Sequence, residues 1–131
     1  MFTPVYKPLA QRNRLAAKVM FAVLGMLHHS GGALPFKKIR LSIGQSMALD
    51  AWELAALSHG KSRWESALDF YSHEYVKAGL LRKDQGDWSL TDFGRQTYTQ
   101  AAETIFRGVH VAYKSSRTRR INSGGKGGRH V

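Results

Sequence analysis

Apolar residues recur with a helical period over much of the chain. Leu15, Val19, Val23 and Leu27 stand four residues apart, with Ala16, Met20 and Leu24 beside them and Gln11, Arg14 and Lys18 opposite. A wide apolar stripe of this kind predicts an amphipathic helix laid on a core. The pattern starts at Leu9, after an irregular opening marked by Thr3, Pro4 and Pro8. Ser30-Gly31-Gly32 stops it, glycine being the usual residue just past a helix end. Ala33-Leu34 reads as a short strand before Pro35. Phe36, Ile39, Leu41 and Ile43 read as a short helix broken by Gly44-Gln45-Ser46.

Two capping boxes follow. Asp50 and Glu53, then Ser62 and Glu65, have the spacing in which a cap side chain accepts from the backbone three residues on and the carboxylate reaches back. The first opens a short helix ending at Ser58-His59-Gly60. The second opens a longer one, Ser62–Ala78, whose Trp64, Leu68, Tyr71 and Tyr75 form one buried stripe. Its opposite face is read as Arg63, Ser66, Asp69, Ser72, His73 and Lys77. Leu80–Lys83 and Trp88–Thr91 flank the four-residue turn Asp84-Gln85-Gly86-Asp87, the pattern of a hairpin. Trp88 is expected in the core. Thr91 is expected to cap a last helix striped by Phe93, Tyr98, Ala101, Ala102, Ile105, Val109 and Ala112. Gly94 and Gly108 are each expected to weaken it by about 1 kcal/mol relative to Ala. Residues 114–131 are poor in apolar side chains and rich in Gly and Arg. They read as a disordered basic tail on a domain of residues 1–113.

The order is helix, short strand, helix, helix, longer helix, hairpin, helix. That predicts a mainly α fold with a small β-hairpin, a winged helix-turn-helix.

Charge sharpens this picture. The 131 residues carry 20 Lys+Arg against 9 Asp+Glu, a formal net charge of +11. It is unevenly placed: residues 1–40 hold basic side chains and no acidic one, residues 41–100 are slightly acidic, and residues 101–131 are basic again. A near-neutral middle between two basic arms points to a polyanion partner, nucleic acid before an anionic membrane surface. The absence of cysteine removes disulfide scaffolds, Cys-based zinc fingers and thiol catalysis. No stretch reaches the length of a membrane span and no secretory signal is visible, so the expectation is a cytoplasmic protein, on the nucleoid if bacterial.

The stretch Leu24–Thr97 resembles the N-terminal winged-helix domain of Mrr-type restriction endonucleases. The matching residues are His29–Gly32, Leu49-Asp50, Tyr75–Leu81 and Gly86–Arg95. The Leu90-Thr91-x-x-Gly94 element recurs in many winged helices. Its spacing from Ala78-Gly79-Leu80-Leu81 is more specific. The resemblance implies a DNA-reading domain which, in that family, is joined to a nuclease domain. No such second domain is expected here, so the chain is either a stand-alone DNA binder or a fragment.

In a helix-turn-helix the second helix lies in the major groove. Lys61, Ser62, Arg63, Ser66, Asp69, His73 and Lys77 are therefore the candidate readers. Arg63 is favoured because a guanidinium can grip guanine O6 and N7 together. Arg82, Lys83 and Gln85 on the wing are expected on the backbone or in the minor groove. Arg12, Arg14 and Lys18 are expected on adjacent phosphates. Arg117, Arg119, Arg120, Lys126 and Arg129 could track the backbone or enter a narrow minor groove. No catalytic residue, metal or cofactor is expected. Glu74-Tyr-Val-Lys77 has the residue types of a nuclease fragment, but no strand-borne carboxylate accompanies it. A homodimer through the first and last helices is a further expectation. Two other classes stay open: a winged helix that binds protein, and an RNA-binding or ribosome-associated protein.

Overall fold

A computed structural model describes the backbone of residues 3–127 and the side chains of residues 11–117. The chain divides into two units, Met1–Tyr98 and Thr99–Val131. The first holds all the strands and the core. Its elements are α1 (Thr3–His29), β1 (Ala33–Pro35), α2 (Phe36–Ser46), α3 (Ala51–Leu54), α4 (Arg63–Lys77), β2 (Leu81–Asp84) and β3 (Asp87–Leu90). α5 (Asp92–Gly127) begins in this unit and runs on through the second.

Helix α1 starts at Thr3, ahead of the expected Leu9. Proline is tolerated in a helix's first turn, so Pro4 there does not delay it. The stripe Leu15, Val19, Val23 and Leu27 is buried with Met20 and Leu24, as expected of an amphipathic helix on a core. The helix ends as Gly32 N donates to Leu27 O at 2.7 Å, with Gly31 and Gly32 at positive φ. β1 then pairs antiparallel with β3, setting Leu34 opposite Trp88. The three strands run in the order β1-β3-β2.

The hairpin is tighter than expected. Asp84 and Asp87 pair across it, leaving only Gln85 and Gly86 in the loop, at φ 51° and 88°. Two successive positive φ values make a primed turn, whose twist matches that of the strands. Both capping boxes form. Glu53 N donates to Asp50 Oδ1 at 2.8 Å while Asp50 N donates to Glu53 Oε1 at 2.9 Å. Ser62 and Glu65 make the same exchange at the head of α4. The core gathers α1, α2, α4 and the sheet around Ile39, Ile43, Trp64, Leu68, Leu81, Trp88 and Leu90. This is a mainly α fold with a small antiparallel sheet, the winged helix-turn-helix expected from the element order.

Three readings of the sequence need correction. Ser72 is fully buried, not on the outer face of α4, because β2 packs against that side of the helix. Phe93 is 57% exposed and does not begin a buried stripe. Gly94 is not a weak point. A Cβ there would lie 2.1 Å from Leu80 O, so only glycine fits.

The second unit is the continuation of α5. It extends through residues 114–127, most of the stretch whose composition reads as a tail. Ile105, Phe106, Val109, Val111 and Tyr113 are exposed along it. Gly108 has open space where its Cβ would be, so Gly108→Ala is expected to stabilise the helix by about 0.5–1 kcal/mol. Thermal unfolding followed at 222 nm would report it.

Candidate nucleic-acid interface

Helix α4 has two faces set by its spacing. Trp64, Leu68, Tyr71 and Tyr75 recur at intervals of four, three and four and turn inward, Trp64 and Leu68 fully and the two tyrosines partly. Ser66, Phe70, His73 and Lys77 recur at the same intervals two residues later, about 200° around the helix. Phe70, His73 and Lys77 are exposed and Ser66 half-buried. This outer ridge is the surface α4 has free for a groove.

The sequence-predicted readers do not all stand on it. Arg63 is turned back. Its Nη1 donates to Trp52 O at 2.7 Å and its guanidinium lies 4.3 Å from the centre of the Trp52 ring. It staples α4 to α3. Arg63→Ala is therefore expected to cost about 2 kcal/mol of stability, a charged hydrogen bond plus a cation–π contact. Urea unfolding would measure this, and Arg63→Lys should recover little because an ammonium lacks the planar face.

The other cations near α4 are occupied as well. Lys61 is ion-paired with Asp69, Arg40 with Glu65, and Lys77 Nζ lies 3.3 Å from Glu74. Arg40, beside Glu65, holds that carboxyl below the usual carboxylate range, with the Ser62 backbone N–H adding to the effect. Lys83 Nζ donates to Ser72 Oγ at 2.8 Å and sits 4.5 Å from the centre of the Trp88 ring. Burial there pulls the Lys83 ammonium below its ordinary range, and Asp69 opposes the shift. Lys18 Nζ donates at 2.8 Å to Glu53, whose carboxylate is buried. Ser66 Oγ lies 3.4 Å from His59 Nε2. Ser62 is consumed in its cap.

Against this, Arg12, Arg14 and Arg82 are exposed, with no hydrogen bond or ion pair among the described residues. The same holds for Lys37 and Lys38 at the start of α2, which the sequence reading counts as charge but does not place in the site. Phe36 N donates to Gly86 O at 2.8 Å, and the Phe36 ring stacks on Trp88 at 4.8 Å. These contacts bring the start of α2, with Lys37 and Lys38, beside the wing turn and its exposed Gln85. Adjacency in the fold, not in the chain, makes Lys37 and Lys38 candidates. Phe70 is missed for another reason: only its helical offset from Ser66 and His73 reveals it.

Arg117 is exposed in the second unit. The side chains of Arg119, Arg120, Lys126 and Arg129 lie outside those described. Among the described residues no three His, Asp or Glu side chains are placed to hold a metal ion, and no helix is long and apolar enough to cross a membrane.

A family model for the Mrr N-terminal domain matches residues 17–100. Comparison with curated proteins and with solved structures gives no match. The matched stretch takes in the C-terminal half of α1, the three-stranded sheet, α2, α3, α4 and the head of α5. The chain belongs to the family of Mrr N-terminal domains.

Proposed function

We propose that this protein binds double-stranded DNA, as the recognition module of a restriction-type system or as a small regulator, and carries out no chemistry itself. α4 enters the major groove by its Ser66–Phe70–His73–Lys77 ridge. The wing and the start of α2 lie on phosphates. The observation that carries this reading is the division of charge. Every acidic side chain of α4 is ion-paired, while Lys37 and Lys38 on α2 and Arg82 on the wing have no partner among the described residues. Such a surface grips a backbone without repelling it. The site of action is the cytoplasm.

A duplex of mixed sequence and an RNA hairpin of equal charge, titrated by fluorescence anisotropy over a salt series, test the reading. Tighter binding to the duplex is the expected result. Equal or better binding to the hairpin favours an RNA partner, and no binding at low salt favours a protein one.

The second unit supports a dimer. Ala102, Ile105, Val109 and Ala112 alternate at three and four residues, the spacing of a two-stranded helical seam, and Ile105 and Val109 are 52% and 64% exposed. Among the described residues α1 has no large exposed hydrophobic side chain, so it adds nothing apolar to that interface. Light scattering is expected to give a dimer for the full chain. Ile105→Asp combined with Val109→Asp is expected to give a monomer whose core still melts cooperatively. A dimer would match half-sites spaced by a helical turn of DNA.

A further inference from the structure

We infer that Phe70 reads the C5-methyl group of a thymine in the major groove. The inference rests on the duplex-binding reading above and names the group which α4 selects.

Phe70 stands at the middle of the outer ridge, between Ser66 and His73, and is 58% exposed. Its neighbours on the ridge are polar, so it is not the edge of the buried stripe. Tyr71 packs against it edge-to-face at 4.9 Å, which steadies the ring in its outward position. The ring also walls a largely apolar cleft of about 490 Å3, shared with Leu15, Trp52, Leu57 and Tyr71 and edged by Arg12. An apolar face beside the exposed Arg12 suits an apolar group carried on a polyanion. In the major groove the one apolar group on the base edges is the thymine methyl, and Phe is among the side chains that contact it.

The cations of α4 and its approach are engaged within the domain. Arg63 is committed to Trp52, Lys61 to Asp69, and Lys77 to Glu74. Ser66 and His73 read hydrogen-bonding groups, so Phe70 is the residue of the ridge whose contact changes most between thymine and a base lacking the methyl.

The test replaces thymine by uracil, which removes only that methyl. Duplexes selected by the full-length protein from a random pool are resynthesised with uracil in place of thymine, and both forms are titrated against the wild type, Phe70→Ala and Phe70→Leu. The wild type is expected to prefer thymine by roughly fourfold for each methyl covered. Phe70→Ala should bind both forms equally, and Phe70→Leu should keep part of the preference. Comparing the same pair of duplexes on wild type and variant cancels any effect of uracil on duplex shape. Equal wild-type binding to the two forms, or a preference that survives in Phe70→Ala, overturns the inference while leaving duplex binding standing. Loss of all salt-sensitive duplex binding by the wild type removes both.

Discussion

Gly94→Ala is expected to destabilise the domain by about 3 kcal/mol or more, at the upper end of what overpacking a closed site costs. For a unit of this size that is a fall in Tm on the order of 15 °C. The reason is a collision with main chain. The added methyl would meet Leu80 O at 2.1 Å and Leu80 C at 3.0 Å, and neither is a flexible side-chain tip. Leu80 O cannot withdraw cheaply. It accepts from Thr91 N at 3.3 Å and from Thr91 Oγ1 at 3.1 Å, while Thr91 Oγ1 in turn caps α5 by accepting from Gly94 N at 2.9 Å. The threonine and the glycine are thus two halves of one joint, which gives the Leu90-Thr91-x-x-Gly94 element its physical content. The contrast with Gly108→Ala is sharp, since the same substitution in one helix is expected to change sign between the two sites. Chemical unfolding of both variants beside the wild type decides it. A neutral Gly94→Ala would mean that the head of α5 does not sit against Leu80.

The second large effect is on salt. If six to ten basic groups engage phosphates, affinity for duplex DNA should fall by about 10³–10⁵ between 50 and 200 mM salt. Replacing Lys37, Lys38 and Arg82 together by alanine should remove about three of those contacts and flatten the slope of log K against log salt by nearly 3. These three side chains are exposed and have no partner among the described residues, so the triple variant should fold as the wild type does. Arg63→Ala, which loses stability, should leave the slope unchanged. An unchanged slope in the triple variant would place the DNA elsewhere on the surface.

What could be read in the sequence was what is local. Both capping boxes are exchanges between residues three apart. The inner stripes of α1 and α4 follow from helical period, and the hairpin from its Gly-containing turn. What escaped depends on approach in space. Arg63 meets a carbonyl eleven residues away, across the turn between α3 and α4. Ser72 stands four residues from Leu68, at the edge of the inner stripe, and β2 completes its burial; a face assigned by polarity sets it outside. The penalty at Gly94 comes from a carbonyl fourteen positions earlier. Phe70 is different. Its place on the ridge was legible as an offset of four from Ser66, but a face composed by residue polarity passes over a phenylalanine.

Lys83 reaches from β2 to Ser72 on α4, and Gly86 at the wing turn accepts from the first residue of α2. The wing is therefore braced on two sides, against α4 and the start of α2. Such a frame has no free hinge between α4 and the wing. On a duplex it would act as a gauge of fixed opening: α4 and the wing would meet the two walls of a groove at a set separation. Sequences whose grooves match that gap would bind with little bending, and stiffer ones would be rejected without any base being touched.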